Sequence, residues 1–106
     1  MANPWTGEVE LTIDGERRVL KLTLGALAEL EQELGTGSLV ELVQRFEGGA
    51  FSSADVLALI VAGLRGGGAD VTRADLLHAE IDGGPMAGAR VAAELLARAF
   101  MAPGQS

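Results

Sequence analysis

Residues 8–24 constrain the fold more than any other part of this chain. From Glu8 to Asp14, Val9, Leu11 and Ile13 alternate with Glu8, Glu10 and Thr12, the period of a half-buried strand. Asp14-Gly15 follows, and these are residue types that accept the positive φ a type I′ turn requires at both central positions. Arg17 to Leu24 makes the return strand. A two-residue loop sets Val9 opposite Leu20 and Glu8 opposite Lys21, so apolar side chains share one face and opposite charges pair on the other. A three-residue loop would set Lys21 against Val9, which the pattern opposes. A lone hairpin is marginal in water, so its apolar face must pack on the helices that follow.

Thr23 is placed to cap a first helix, with Leu24, Leu27, Leu30 and Leu34 as its apolar stripe and Gly35 and Gly37 at its end. Ser38-Leu39-Val40-Glu41 reads as a capping box opening a second helix. That helix carries Leu39, Leu42, Val43 and Phe46 and stops at Gly48-Gly49. Ser52 to Asp55 is a further cap signal, and the helix from about Ala54 to Leu64 is apolar nearly all round, as a central helix is. Thr72 to Asp75 is expected to start a fourth helix carrying Leu76, Leu77 and Ile81, ended by Gly83-Gly84. Pro85 suits the first turn of a last helix, with Met86, Ala89, Ala93, Leu96 and Phe100 inward. Arg90, Glu94 and Arg98 would then form an exposed i,i+4 ladder. The expectation is one α+β domain over residues 1–106: a hairpin over about 7–24 packed on four to five short helices over about 24–101, with a short frayed tail.

Composition bounds the chemistry. A chain of 106 residues buries enough surface to fold without disulfides or metal, and there are no cysteines to form either a disulfide or a thiolate site. The formal charge of −7 opposes phosphate backbones and anionic membrane surfaces, so neither nucleic acid nor membrane is an expected partner. Arg17, Arg18 and Lys21 are the only basic concentration, and Glu8, Glu10 and Glu16 stand beside them in sequence. No basic and apolar leader follows Met1, and the apolar run Val56 to Gly63 is too short to span a bilayer, which suits a cytoplasmic protein.

No catalytic pattern emerges. Leu64 to Asp70 is glycine-rich, but no Lys-Ser or Lys-Thr follows and Asp70 would repel phosphate, so Gly66-Gly67-Gly68 reads as a helix end. His78, the single histidine, has Asp75 and Asp82 at i−3 and i+4 on the expected fourth helix, a set that lacks the second nitrogen ligand a tight metal site needs. The carboxylate pairs Glu29 with Glu33 and Glu8 with Glu10 have no apolar pocket to separate their pKa values. The chain is therefore expected to be a non-enzyme with no cofactor, no metal and no small-molecule substrate. Trp5, beside Pro4, either closes the edge of the core or serves as an exposed anchor, and Phe51 poses the same choice. Trp5, Phe51 and Phe100 are the candidate partner contacts.

Two stretches carry a resemblance. Leu20-Lys21-Leu22-Thr23-Leu24-Gly25-Ala26-Leu27-Ala28-Glu29-Leu30-Glu31 follows the hairpin turn, and Leu42 to Ser52 leads to Ala62-Gly63-Leu64-Arg65-Gly66-Gly67-Gly68. Together they resemble a family of small proteins from the tail-gene clusters of gene transfer agents and related tailed prophages. The resemblance covers about Asn3 to Phe100 and is best from Gly7 to Gly35 and from Phe46 to Gly68. Members are described as tail assembly chaperones and also as tail tube components. The resemblance implies a chaperone that transiently covers the tape measure protein during tail assembly, with a permanent tube or ring component of the tail as the alternative. It also implies binding to other tail proteins and self-association as a homo-oligomer. It assigns no binding residues.

Overall fold

The structure, a computed structural model, describes residues 7–35 and 38–100. Strands β1 (Glu8–Ile13) and β2 (Glu16–Lys21) form the antiparallel hairpin, followed by helices α1 (Leu24–Leu34), α2 (Ser38–Gly48), α3 (Ser53–Gly66), α4 (Arg73–Leu76) and α5 (Gly84–Phe100). The register is the one the two-residue loop imposes, with Val9 opposite Leu20 and Glu8 opposite Lys21. Asp14 and Gly15 take φ of 52° and 80°, as the type I′ turn requires. Farther along the ladder the apolar pairing ends. Leu11 faces Arg18 and Ile13 faces Glu16, and Arg18 and Glu16 pair with each other at 3.0 Å near the turn.

α3 is the central element. It packs on β2, α1, α4 and α5, and it buries Ala58, Leu59, Ile60, Ala62 and Leu64. The fully buried core joins it to Leu20 from the hairpin, Leu42 from α2 and Leu95 from α5. Its last turn lies against the outer edge of β2. A Cβ on Gly66 would stand 1.9 Å from the Lys21 carbonyl oxygen, and one on Gly67 would stand 2.1 Å from that of Val19. Neither glycine has positive φ. The glycine run therefore ends a helix, as expected, and also lets that helix cover an otherwise open strand edge.

Local caps form where the sequence places them. The Thr23 hydroxyl accepts from the Ala26 amide at 3.0 Å, and complete capping boxes open α3 at Ser52 and α4 at Thr72. The capping box expected at Ser38 rests on a side chain outside the described residues, as do Trp5 and the tail from 101 to 106.

Three expectations are corrected. The fourth helix is a single turn ending at Leu76, not a helix reaching Ile81. Residues 80–82 instead join the free edge of β1: the Asp14 amide donates to the Glu80 carbonyl at 2.8 Å and the Asp82 amide to that of Thr12 at 3.0 Å. Ile81 bridges Ile13. The open strand edge offers these residues hydrogen bonds and an apolar neighbour that continued helix would forgo. Second, α5 is turned by about one residue, or about 100°, from its expected face. It buries Ala87, Gly88, Val91, Ala92 and Leu95 together with Leu96, an expected inward residue, while Met86 is 81% exposed, Phe100 46% exposed, and Ala93 also exposed. Val91 and Leu95 offer more area to bury than the alanines of the expected face. Third, Leu24 is 84% exposed at the start of α1, and Ala26 and Leu30 are that helix's buried residues. Of the expected ladder, Glu94 and Arg98 pair at 3.7 Å, and Arg98 also donates to the Glu8 carbonyl at 3.3 Å, tying α5 to β1.

Candidate interaction groove

An open groove of about 990 Å³ runs along the surface where α3 and α5 meet. Val56, Leu57 and Ile60 of α3 line one side, and Pro85, Met86, Gly88 and Ala89 of α5 the other. Leu76, Leu77 and residues 79–84, held on β1 by the hydrogen bonds of Glu80 and Asp82, form a further wall. The lining is mainly apolar, and Leu77 stands 61% exposed within it. Gly88 lies between Ile60 and Ile81: a Cβ at that position would meet both side chains at 3.5 Å, an ordinary van der Waals contact.

Phe51 also lines the groove. Its position is fixed from behind. One ring face stacks on Phe46 with centroids 4.5 Å apart and planes 5° from parallel. Beside it, Arg45 of α2 donates from Nε and Nη2 to the two carboxylate oxygens of Asp55, both at 3.0 Å, while Asp55 also accepts the Ser52 amide at 2.9 Å. Asp55 is the one buried charged residue among those described. Burial pushes its carboxyl pKa up, but the hydrogen bonds from Arg45 and Ser52 outweigh this and hold it below the ordinary 3.8.

The sign of the resulting pH dependence follows. With the folded value below the unfolded one, the contribution of Asp55 is complete above 3.8 and is lost as pH falls through the lower folded value. Wild type should therefore exceed Asp55→Asn in urea midpoint at neutral pH, with the difference shrinking as the pH drops below 3.8. A difference that stays constant down to pH about 2 would mean that the carboxylate of Asp55 gains nothing from Arg45 and Ser52.

The candidate contact residues are not brought together. Phe51 lines the groove, Phe100 ends α5 roughly 16 Å beyond Ala89 by helical rise, and Trp5 lies outside the described residues. Leu57, Leu77 and Met86 are among the exposed or half-buried groove residues that sequence reasoning did not single out as contacts. A helix apolar on every side, such as α3, signals that more than one partner surface is needed, and that was the available clue.

Of the other polar candidates, Asp75, Glu29 and Glu33 make structural contacts. Because α4 ends at Leu76, Asp75, His78 and Asp82 do not share a helical face; Asp75 serves the Thr72 capping box instead. Among the described residues no group of three His, Asp or Glu side chains is placed to hold a metal ion. Glu29 pairs with Arg65 at 3.2 Å, and Glu33 approaches Arg73 at 4.0 Å, both on the surface where water screens them. No helix among the described residues is long and apolar enough to cross a membrane.

Residues 6–102 match a family whose description is "Phage tail tube protein, GTA-gp10". Comparison with curated proteins and with solved structures finds no match.

Proposed function

Since the chain belongs to this family of phage tail proteins of the gene-transfer-agent type, we propose that it works by protein–protein contact within a phage-type tail, without bond chemistry, and that its place is the tail tube. The family match over residues 6–102 carries this reading. The surface supports it as well: Leu24, Val40, Leu77, Met86 and Phe100 are large apolar side chains left exposed. A tube or ring subunit needs such side chains where copies and neighbours meet.

A second reading follows from the groove. An acidic body with an open apolar channel suits a transient tail assembly chaperone, which would cover apolar segments of the tape measure protein and keep the complex soluble by charge repulsion. The two readings differ in the finished particle. Mass spectrometry of purified particles beside the lysate of the producing cells separates them. A fixed copy number per tail is the expected result for a tube component. Abundance in the lysate with none in the particles would overturn the tube reading in favour of the chaperone.

A further inference from the structure

We propose that the groove between α3 and α5 seats one amphipathic helix of another tail protein, with lysine or arginine flanking that helix's apolar face. The proposal rests on the reading that this chain binds other tail proteins, and it names the chemistry of the partner.

The shape of the floor favours a helix. α3 and α5 pack together, and a seam between two packed helices accepts a third at an axis separation of about 8–10 Å. Leu57, Leu77 and Met86 supply the uncovered apolar surface, and methionine adapts to varied partner side chains.

Charge selects the flanks. The groove lining contains Glu80 and Asp82 and no lysine, arginine or histidine. Of the eight lysines and arginines, Arg18, Arg45, Arg65, Arg73 and Arg98 each engage a carboxylate elsewhere, and Arg17, Lys21 and Arg90 do not line the groove. Neither Glu80 nor Asp82 has a cation partner among the described residues. Two unpaired carboxylates beside an apolar floor attract a cationic flank and repel an acidic one. A second copy of this chain, itself at a formal charge of −7, is disfavoured as the occupant on the same ground.

The test uses the full chain and three fluorescently labelled peptides of about 16 residues, long enough for helix on binding. One has a leucine face flanked by lysines, one the same face flanked by glutamates, and one the lysine peptide in scrambled order. Fluorescence anisotropy should give the first peptide about tenfold or more tighter binding than either other. The combined change Leu77→Ser with Met86→Ser should weaken it by about tenfold. Glu80→Gln with Asp82→Asn should weaken it several-fold at low salt and little at high salt. Leu77 and Met86 are exposed, so the serine variant should fold, which circular dichroism checks.

Equal binding of the scrambled lysine peptide would reduce the effect to general attraction by an acidic protein and overturn the proposal. Equal binding of the glutamate peptide would remove the charge selection, and no binding would remove the site. A dimer in light scattering that the serine variant dissolves would assign the groove to a second copy. Particle mass spectrometry reads tail membership separately, so a failed peptide test and a failed tail assignment are distinguishable.

Discussion

Replacing Gly66 by alanine is expected to destabilise the fold by about 3 kcal/mol, at the upper end of what overpacking costs. The new Cβ would lie 1.9 Å from the Lys21 carbonyl oxygen and 3.3 Å from the Ala26 Cβ. The first neighbour is backbone in the hairpin and has no rotamer by which to retreat, so β2 and α3 must separate. Gly67→Ala should behave similarly, since its Cβ would meet the Val19 carbonyl oxygen at 2.1 Å. Thermal melting reads the effect, because a loss of 3 kcal/mol in a domain near this size moves the midpoint by well over about 10 °C. Gly48→Ala is the control. Nothing lies within 4 Å of a Cβ at Gly48, and its φ is not positive, so alanine there should be neutral or stabilising by at most about 1 kcal/mol. If Gly66→Ala melts with the wild type, the close approach of α3 to β2 is wrong.

Leu59→Ala is expected to cost about 2–5 kcal/mol, a transfer loss plus a cavity that its neighbours fill only in part. Leu59 is fully buried on the central helix, where few neighbours can collapse without breaking contacts of their own. The loss is a large share of the roughly 5–15 kcal/mol that holds a small domain folded. Leu24→Ala should change stability by no more than about 0.5 kcal/mol, because Leu24 is 84% exposed. Urea midpoints of the two variants decide between the observed packing and the simple leucine stripe, which would rank Leu24 with the core. Comparable losses at both positions would refute the placement of α1.

The groove was only partly legible from the chain. Phe51 could be singled out as a rare aromatic in a glycine-bounded loop, and the structure sets it in the groove's lining. Its stacking on Phe46 could not be read, since it depends on how α2 meets α3. The pattern places Leu77 on a longer fourth helix and Met86 on the inward face of α5, and both line the groove as exposed side chains. The reason is competition at a distance. Residues 80–82 have a helical pattern within their own segment, but the free edge of β1, far away in sequence, captures their backbone. Once Ile81 bridges Ile13, α4 is confined to one turn.

What the sequence by itself determined is whatever a few neighbouring residues can fix. Asp14-Gly15 set the hairpin register through positive φ, Thr23, Ser52 and Thr72 set helix starts through hydrogen bonds spanning three residues, and the all-round apolar pattern of residues 56–64 made α3 central. Only the tertiary structure decided the buried face of α5, the length of α4, the contact of Gly66 and Gly67 with β2, and the groove. In an alanine-rich helix such as α5, several faces offer similar apolar area, so the choice falls to the shape and hydrogen-bonding demand of elements that the local sequence does not contain.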